Sequence, residues 1–156
     1  MPDQPTTLAD LVEGARFAMF TTLDADGALV SRPMTIQEVG EDDALVFISQ
    51  ATTHVSLQSD GKQVNLAIAE SGKWLSISGV GEVSDDRATK ERLWDSANDA
   101  YSDGGPENPD NVVIRVRADS VEYWDTPGGV GIVLGIVKAK LTGGKPQLGD
   151  HGTVEF

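Results

Sequence analysis

Apolar positions recur at every second residue through most of this chain and at helical spacing in only a few short stretches. Near the amino end, Leu8, Leu11 and Val12 repeat at helical spacing behind Thr6 or Thr7 as a cap, and Gly14 is placed to end the helix. Phe17, Met19 and Thr21 then alternate with Ala18, Phe20 and Thr22. This first strand is largely apolar on both faces, as suits a closed barrel or an interface. Asp24-Ala25-Asp26-Gly27 turns it into a second strand, on which Ala28, Val30, Arg32, Met34 and Ile36 project to one side. Gly40-Glu41-Asp42-Asp43 turns again into Ala44 to Ser49, and a short helix is expected from Thr53 to Ser59.

Beyond Asp60-Gly61, a strand is predicted over Val64 to Ala69 and a long one over Lys73 to Val83. Gly79 and Gly81 inside the latter mark a bend or a close backbone approach. Asp85 and Asp86 favour a helix start, with Leu93, Trp94, Ala97 and Tyr101 along one face of the helix that follows. Ser102 to Asp110 is a loop by composition. Val112 to Val116 and Val121 to Trp124 read as two separate extended pieces, and Thr126 to Gly129 breaks the chain. Gly131 to Leu141 fits a helix or a strand, and a short strand ends the chain at Thr153 to Phe156. Many strands at hairpin spacing with few helices predict a mainly β fold, an antiparallel β-barrel with peripheral helices. One domain is expected over residues 1–156, with an N-terminal helix in 1–14 and a C-terminal extension over 127–156.

Composition narrows the function. The chain has 156 residues, 12 Lys+Arg against 25 Asp+Glu, and a net charge of -13. So acidic a surface speaks against nucleic acid and anionic membranes as partners, because both are bound through basic patches. There is no cysteine, hence no disulfide, thiolate metal site or Cys nucleophile. The first residues lack the basic and apolar regions of a signal peptide, and no run approaches the ~20 apolar residues of a membrane span. The expectation is a cytoplasmic protein.

The candidate chemistry lies between Phe17 and Leu57. Arg32 shares a strand face with four apolar residues, so its guanidinium must reach a rim or meet a fixed anion. Pro33 beside it implies an edge or a bulge. The third strand runs into Gln50-Ala51-Thr52-Thr53-His54, hydroxyls and an imidazole at a strand-to-helix junction whose backbone N–H groups are free to hold an anion. Together they predict a site for a phosphorylated cofactor. Trp74, Trp94 and Trp124 read first as core or interface aromatics, and His54 with His151 gives no zinc or iron spacing.

Ser31-Arg32-Pro33-Met34 followed by Ile48-Ser49 and Thr53-His54 resembles the pyridoxamine 5'-phosphate oxidase-like FMN-binding split-barrel superfamily, in its general stress protein branch. The passages TTLDADGALVSRPM, SISGVGEVSDDRATKERLW and GGPENPDNVVIRVRADSVEYWD extend the resemblance over almost the whole chain. It implies a homodimer with FMN at the subunit interface. Ser31 and Arg32 would lie along the ring and phosphate, the backbone of Pro33, Met34 and Thr35 near the ring, and Ile48 beside it. Ser49, Thr53 and His54 would hold the phosphate. Lys73 and Trp74 would come from the partner subunit, and Trp94 and Trp124 match aromatic positions of the branch. Two departures stand out: Val55 and Gln37 occupy positions where relatives carry lysine. The resemblance therefore implies either a flavin-dependent oxidoreductase of unknown substrate or a binding module without turnover. Its cofactor would be FMN, a deazaflavin or none. True pyridoxamine-phosphate oxidation is not expected, because no cationic pocket for the substrate phosphate is evident.

Overall fold

The computed structural model describes residues 7–70, 72–125 and 150–156. Among them, twelve elements follow in order: α1 (Leu8–Val12), β1 (Phe17–Leu23), β2 (Leu29–Thr35), β3 (Glu38–Val39), β4 (Ala44–Gln50), α2 (His54–Ser59), β5 (Gln63–Glu70), β6 (Lys73–Ser84), α3 (Arg87–Leu93), α4 (Ser96–Tyr101), β7 (Asn111–Asp125) and β8 (Asp150–Glu155). The strands form one antiparallel sheet in the order β2-β1-β5-β6-β7-β4-β3, with β8 against β7. The mainly β, antiparallel fold expected from the alternation is observed, in the split-barrel form that the family resemblance implies. Gly131 to Leu141, the break at Thr126 to Gly129 before it and residues 1–6 lie outside the described residues.

Alternation sets what is inside. Ala18, Phe20 and Thr22 of β1, Val64, Leu66 and Ile68 of β5, and Leu75 and Ile77 of β6 are buried, while their neighbours face out. Phe20 meets Phe47 of β4 edge to face, ring centroids 5.2 Å apart. Each such fully buried side chain contributes about 1.5–3 kcal/mol relative to exposure. Leu8, Leu11 and Val12 of α1 join the same core behind the Thr7 cap, and Gly14 follows at φ 82°.

Two expectations need correction. Val112 to Val116 and Val121 to Trp124 are one strand, β7, fifteen residues long. Its pairing with β6 shifts register between Ser78 and Gly79, which leaves Asp119 as the extra residue of a bulge. The bulge keeps both halves of β7 on the same partner, so the apparent break is a local twist. The helix after Asp86 is also not continuous. Trp94 ends α3 in an extended conformation, and Asp95 caps a new helix by accepting from the Asn98 N–H at 2.9 Å. Leu93, Trp94, Ala97 and Tyr101 therefore share no single face.

The glycines behave as predicted. A Cβ on Gly79 would run into the carbonyl oxygen of Arg117, and one on Gly81 into that of Ser59. Both obstacles are backbone, so neither position has room for a side chain.

Candidate functional site

The barrel is split where β2 and β4 part. Ile36 donates its N–H to Arg16 O at 2.9 Å, and Gln37 donates to Val46 O at 2.9 Å. In a strand, successive backbone groups point to opposite edges. The Ile36 bond therefore turns the backbone groups of Met34 and Arg32 toward β1. Those of Thr35 and Pro33 turn toward the open edge. Likewise Val46 O faces the β3 side, so the N–H and C=O of Ile48 face the same gap. Pro33, which has no N–H, thus stands on the unpaired edge, as a proline in a strand must.

Between these edges lies a groove of about 510 Å³. Its floor is Pro33, Met34 and Thr35 of β2 with Ile48, Ser49 and Gln50 of β4; Phe17 and Gln37 close one side, and Thr53 stands at one end. The other wall comes from Asp95, Ala97, Asn98, Tyr101 and Ser102 around α4. Six of the residues that the resemblance assigns to the cofactor are brought together here: Pro33, Met34, Thr35, Ile48, Ser49 and Thr53.

The polar end is built by the Thr53 cap of α2. Thr53 Oγ1 accepts from the Ser56 N–H at 3.4 Å and lies 2.8 Å from Gln50 O. Ser49 Oγ is 3.0 Å from Thr53 Oγ1. A hydroxyl has one proton. With the Thr53 proton directed at Gln50 O, Ser49 donates to Thr53 and needs only a hydroxyl rotation to donate into the groove.

Arg32 does not line the groove. It lies on the inner face of β2, opposite Phe20, where Nη1 donates to Thr22 Oγ1 at 2.7 Å and to Phe20 O at 3.3 Å. Thr22 in turn donates to Gln58 Oε1 of α2 at 2.7 Å. Among the described residues no carboxylate pairs with Arg32, and Nε and Nη2 make no hydrogen bond. Burial pulls its pKa below the ordinary arginine value. A half-buried guanidinium with donors left open among the described residues can take an anion.

The other predicted residues lie elsewhere in this protomer. Ser31 sits on the outer face of β2, 2.6 Å from the hydroxyl of Thr21. His54 is exposed in the first turn of α2. Lys73 lines a smaller cavity of about 220 Å³ with Leu11, Glu70 and Leu75. Trp74 and Trp124 pair across β6 and β7 and are 45% and 41% exposed. Trp94 donates its indole N–H to Asp99 at 2.6 Å. Arg115 and Arg117 line another cavity with Glu82 and Asp119, away from this groove. Sequence reasoning missed the α4 wall. Its one local signal was Asp95 three residues before Asn98, a capping arrangement hidden by the apolar spacing of Leu93, Trp94 and Ala97.

The outward-facing row beside the groove is apolar. Phe17 and Met19 are 48% and 42% exposed. Met19 pairs with Ala67, and Ala69 pairs with Trp74, which pairs with Trp124.

A split barrel with its ligand-sized groove at the split places this chain in a known structural class. The chain belongs to the pyridoxamine 5'-phosphate oxidase-like family, whose model matches residues 3–147. Protein bli-3 of Neurospora crassa is 28% identical, with 87% of this chain and 72% of that protein aligned. Among solved structures, a general stress protein 26 from a Jannaschia species is 27% identical, with a TM-score of 0.79 and 96% of each chain covered. A general stress FMN/FAD binding protein from Xanthomonas citri is 26% identical, with a TM-score of 0.60, covering 73% of this chain and 82% of that one. Among the described residues no helix is long and apolar enough to cross a membrane.

Proposed function

We propose that the groove holds the ring of a flavin-type cofactor, FMN in the first instance, and that a second copy of this chain completes the site. The observation that carries this is the pair of backbone edges, Pro33 and Thr35 on β2 and Ile48 on β4, that face the split and are unpaired among the described residues. A flavin ring carries donors and acceptors along one edge and is apolar on its faces. The groove offers backbone N–H and C=O groups beside Phe17, Met34 and Ile48, so the residues present fit the group. Ser49, Thr53 and His54 at the start of α2 would hold the phosphate end, with Arg32 supplying its open donors from the inner face. The similarity to the FMN/FAD-binding protein of Xanthomonas citri supports the same reading.

The exposed row of Phe17, Met19, Trp74 and Trp124 would bury against the second copy, bringing Lys73 and Trp74 of the partner to the open side of the groove. Leaving so many large apolar side chains in water is costly, and their continuity with the groove favours a homodimer. A bound flavin supplies hydride or single-electron transfer. The chain itself orients the ring through backbone groups, fixes the phosphate end and excludes water with the apolar row. This makes it a flavin-dependent oxidoreductase of cytoplasmic type, with its substrate open. Buried Val55 and neutral Gln37 favour a second reading, in which the cofactor is weakly held or is a deazaflavin and the protein binds without turnover.

The test is titration of the purified, dialysed protein with FMN, followed by flavin fluorescence, with size exclusion on the same sample. Saturable quenching by a dimer is expected, and Arg32→Ala is expected to weaken it by about tenfold or more. A well-folded dimer that does not quench FMN would overturn the FMN reading, and a deazaflavin is then the next titrant.

A further inference from the structure

The wall of the groove carries chemistry that its floor lacks. Tyr101, at the end of α4, lines the groove yet is 87% exposed, a phenol ring standing in solvent at its mouth. Asp95, at the start of α4, spends Oδ1 on the Asn98 N–H at 2.9 Å, and its second oxygen has no partner among the described residues. Among the described residues lining the groove, Asp95 is the one that carries a charge. Two cations lie on neighbouring elements and both are engaged: Arg92, three residues before Asp95, pairs with Glu38 at 2.9 Å, and Arg32 directs Nη1 to Phe20 O and Thr22 Oγ1. The net charge of -13 adds a long-range field of the same sign as Asp95.

We propose that Asp95 and Tyr101 form a selectivity lip for a second small molecule entering the groove: a planar aromatic ring bearing positive charge, in preference to the same ring bearing a carboxylate or phosphate. This rests on the groove being the ligand site proposed above, and it concerns the molecule that meets the cofactor rather than the cofactor. The carboxylate attracts a cation and repels an anion across a solvent-exposed gap. The phenol face adds a cation–π contribution that an anionic ring does not receive. The lip therefore selects by charge sign, and phosphorylated pyridines are the poorest ligands.

Three pyridine probes of nearly equal size test this: the 1-methylnicotinamide cation, neutral nicotinamide and the nicotinate anion. Each is titrated at low salt into the protein with and without saturating FMN, read by tryptophan or flavin fluorescence. The expected order is cation tighter than neutral, and neutral tighter than anion. Asp95→Asn keeps the helix cap, since Asn caps as well as Asp, and is expected to narrow the cation-to-anion ratio about three- to tenfold. Tyr101→Ala, at an exposed position, is expected to weaken the cation most. A flat or reversed order, a ratio unmoved by Asp95→Asn, or no binding of any probe would overturn the lip. Failure of FMN to bind while the Asp95-dependent order persists would sink the cofactor reading alone. FMN binding with a flat order would sink the lip alone.

Discussion

Ile36 and Gln37 are adjacent in the chain, yet their N–H groups bond to opposite ends of the sheet, Ile36 to Arg16 O and Gln37 to Val46 O, each at 2.9 Å. This single peptide step closes the barrel at one end and leaves it split at the other. The groove exists because β2 and β4 diverge from that point. Gln37 stands at the vertex of the split, with its side chain on the groove.

Gln37→Lys is therefore expected to place a cation on a groove whose described lining has none. A charge-assisted hydrogen bond to a phosphate contributes about 1.5–3 kcal/mol, so FMN affinity should rise roughly tenfold or more. Riboflavin, which lacks the phosphate, should gain little. Parallel fluorescence titrations with the two flavins make the comparison, and an equal gain for both would place the cofactor phosphate away from Gln37.

Gly81→Ala is expected to destabilise the fold by about 2–3 kcal/mol, as overpacking against something rigid does. The added methyl would meet the Ser59 carbonyl, and the same stretch of backbone carries the Gly61 N–H to Gly81 O bond at 2.9 Å and the Gly81 N–H to Lys62 O bond at 3.0 Å. Urea unfolding reads this as a lower midpoint at unchanged slope. Gly27→Ala, at φ 81° in an open turn with nothing near its Cβ, is the control and should cost less.

Much of this was legible in the chain. The alternation of Ala18, Phe20 and Thr22 against Phe17 and Met19 set the inner and outer faces of β1, Pro33 marked an edge, and Gly79 and Gly81 marked backbone contacts. These signals are local. The continuity of β7 was not legible, because it depends on β6 holding both sides of the bulge at Asp119, a tertiary effect. The site was half legible for the same reason. β2 and β4 announce themselves through proline and hydroxyl positions, but Asp95 and Tyr101 reach the groove only through the folding of α3 and α4 across it. Arg32 was read as a cation needing an anion. The structure adds that Thr22 and Gln58 tie it to α2 while leaving donors open.

The Asp86 cap of α3 predicts a pH effect. Its carboxylate accepts from the Thr89 hydroxyl at 2.6 Å and the Thr89 N–H at 3.1 Å, and these bonds hold its pKa below the usual aspartate value. The folded-state pKa is depressed, so the stabilisation is present above the unfolded value of about 3.9. It is lost as pH falls through the folded value. Asp86→Asn should retain the cap at neutral pH but flatten the acid limb of stability below about pH 4. Asp86→Ala should cost about 1 kcal/mol at pH 7. Urea midpoints at pH 7 and across the acid range separate the two variants.

Met19→Glu tests the apolar row. Met19 is 42% exposed in one protomer, so the substitution leaves the core of that protomer intact, while in a dimer it would bury a carboxylate among Phe17, Trp74 and their counterparts. The expected result is a shift from dimer to monomer on size exclusion, with a cooperative unfolding transition preserved. If the second copy completes the flavin site, FMN affinity falls in step with dimer content and recovers at high protein concentration. Trp74→Glu, on β6 two strands from β4 along the sheet, should do the same, because Trp74 lies on the same outward row without lining the groove. A monomer that binds FMN as tightly as the parent would show that one protomer suffices, and a dimer unmoved by both substitutions would place the interface on another face.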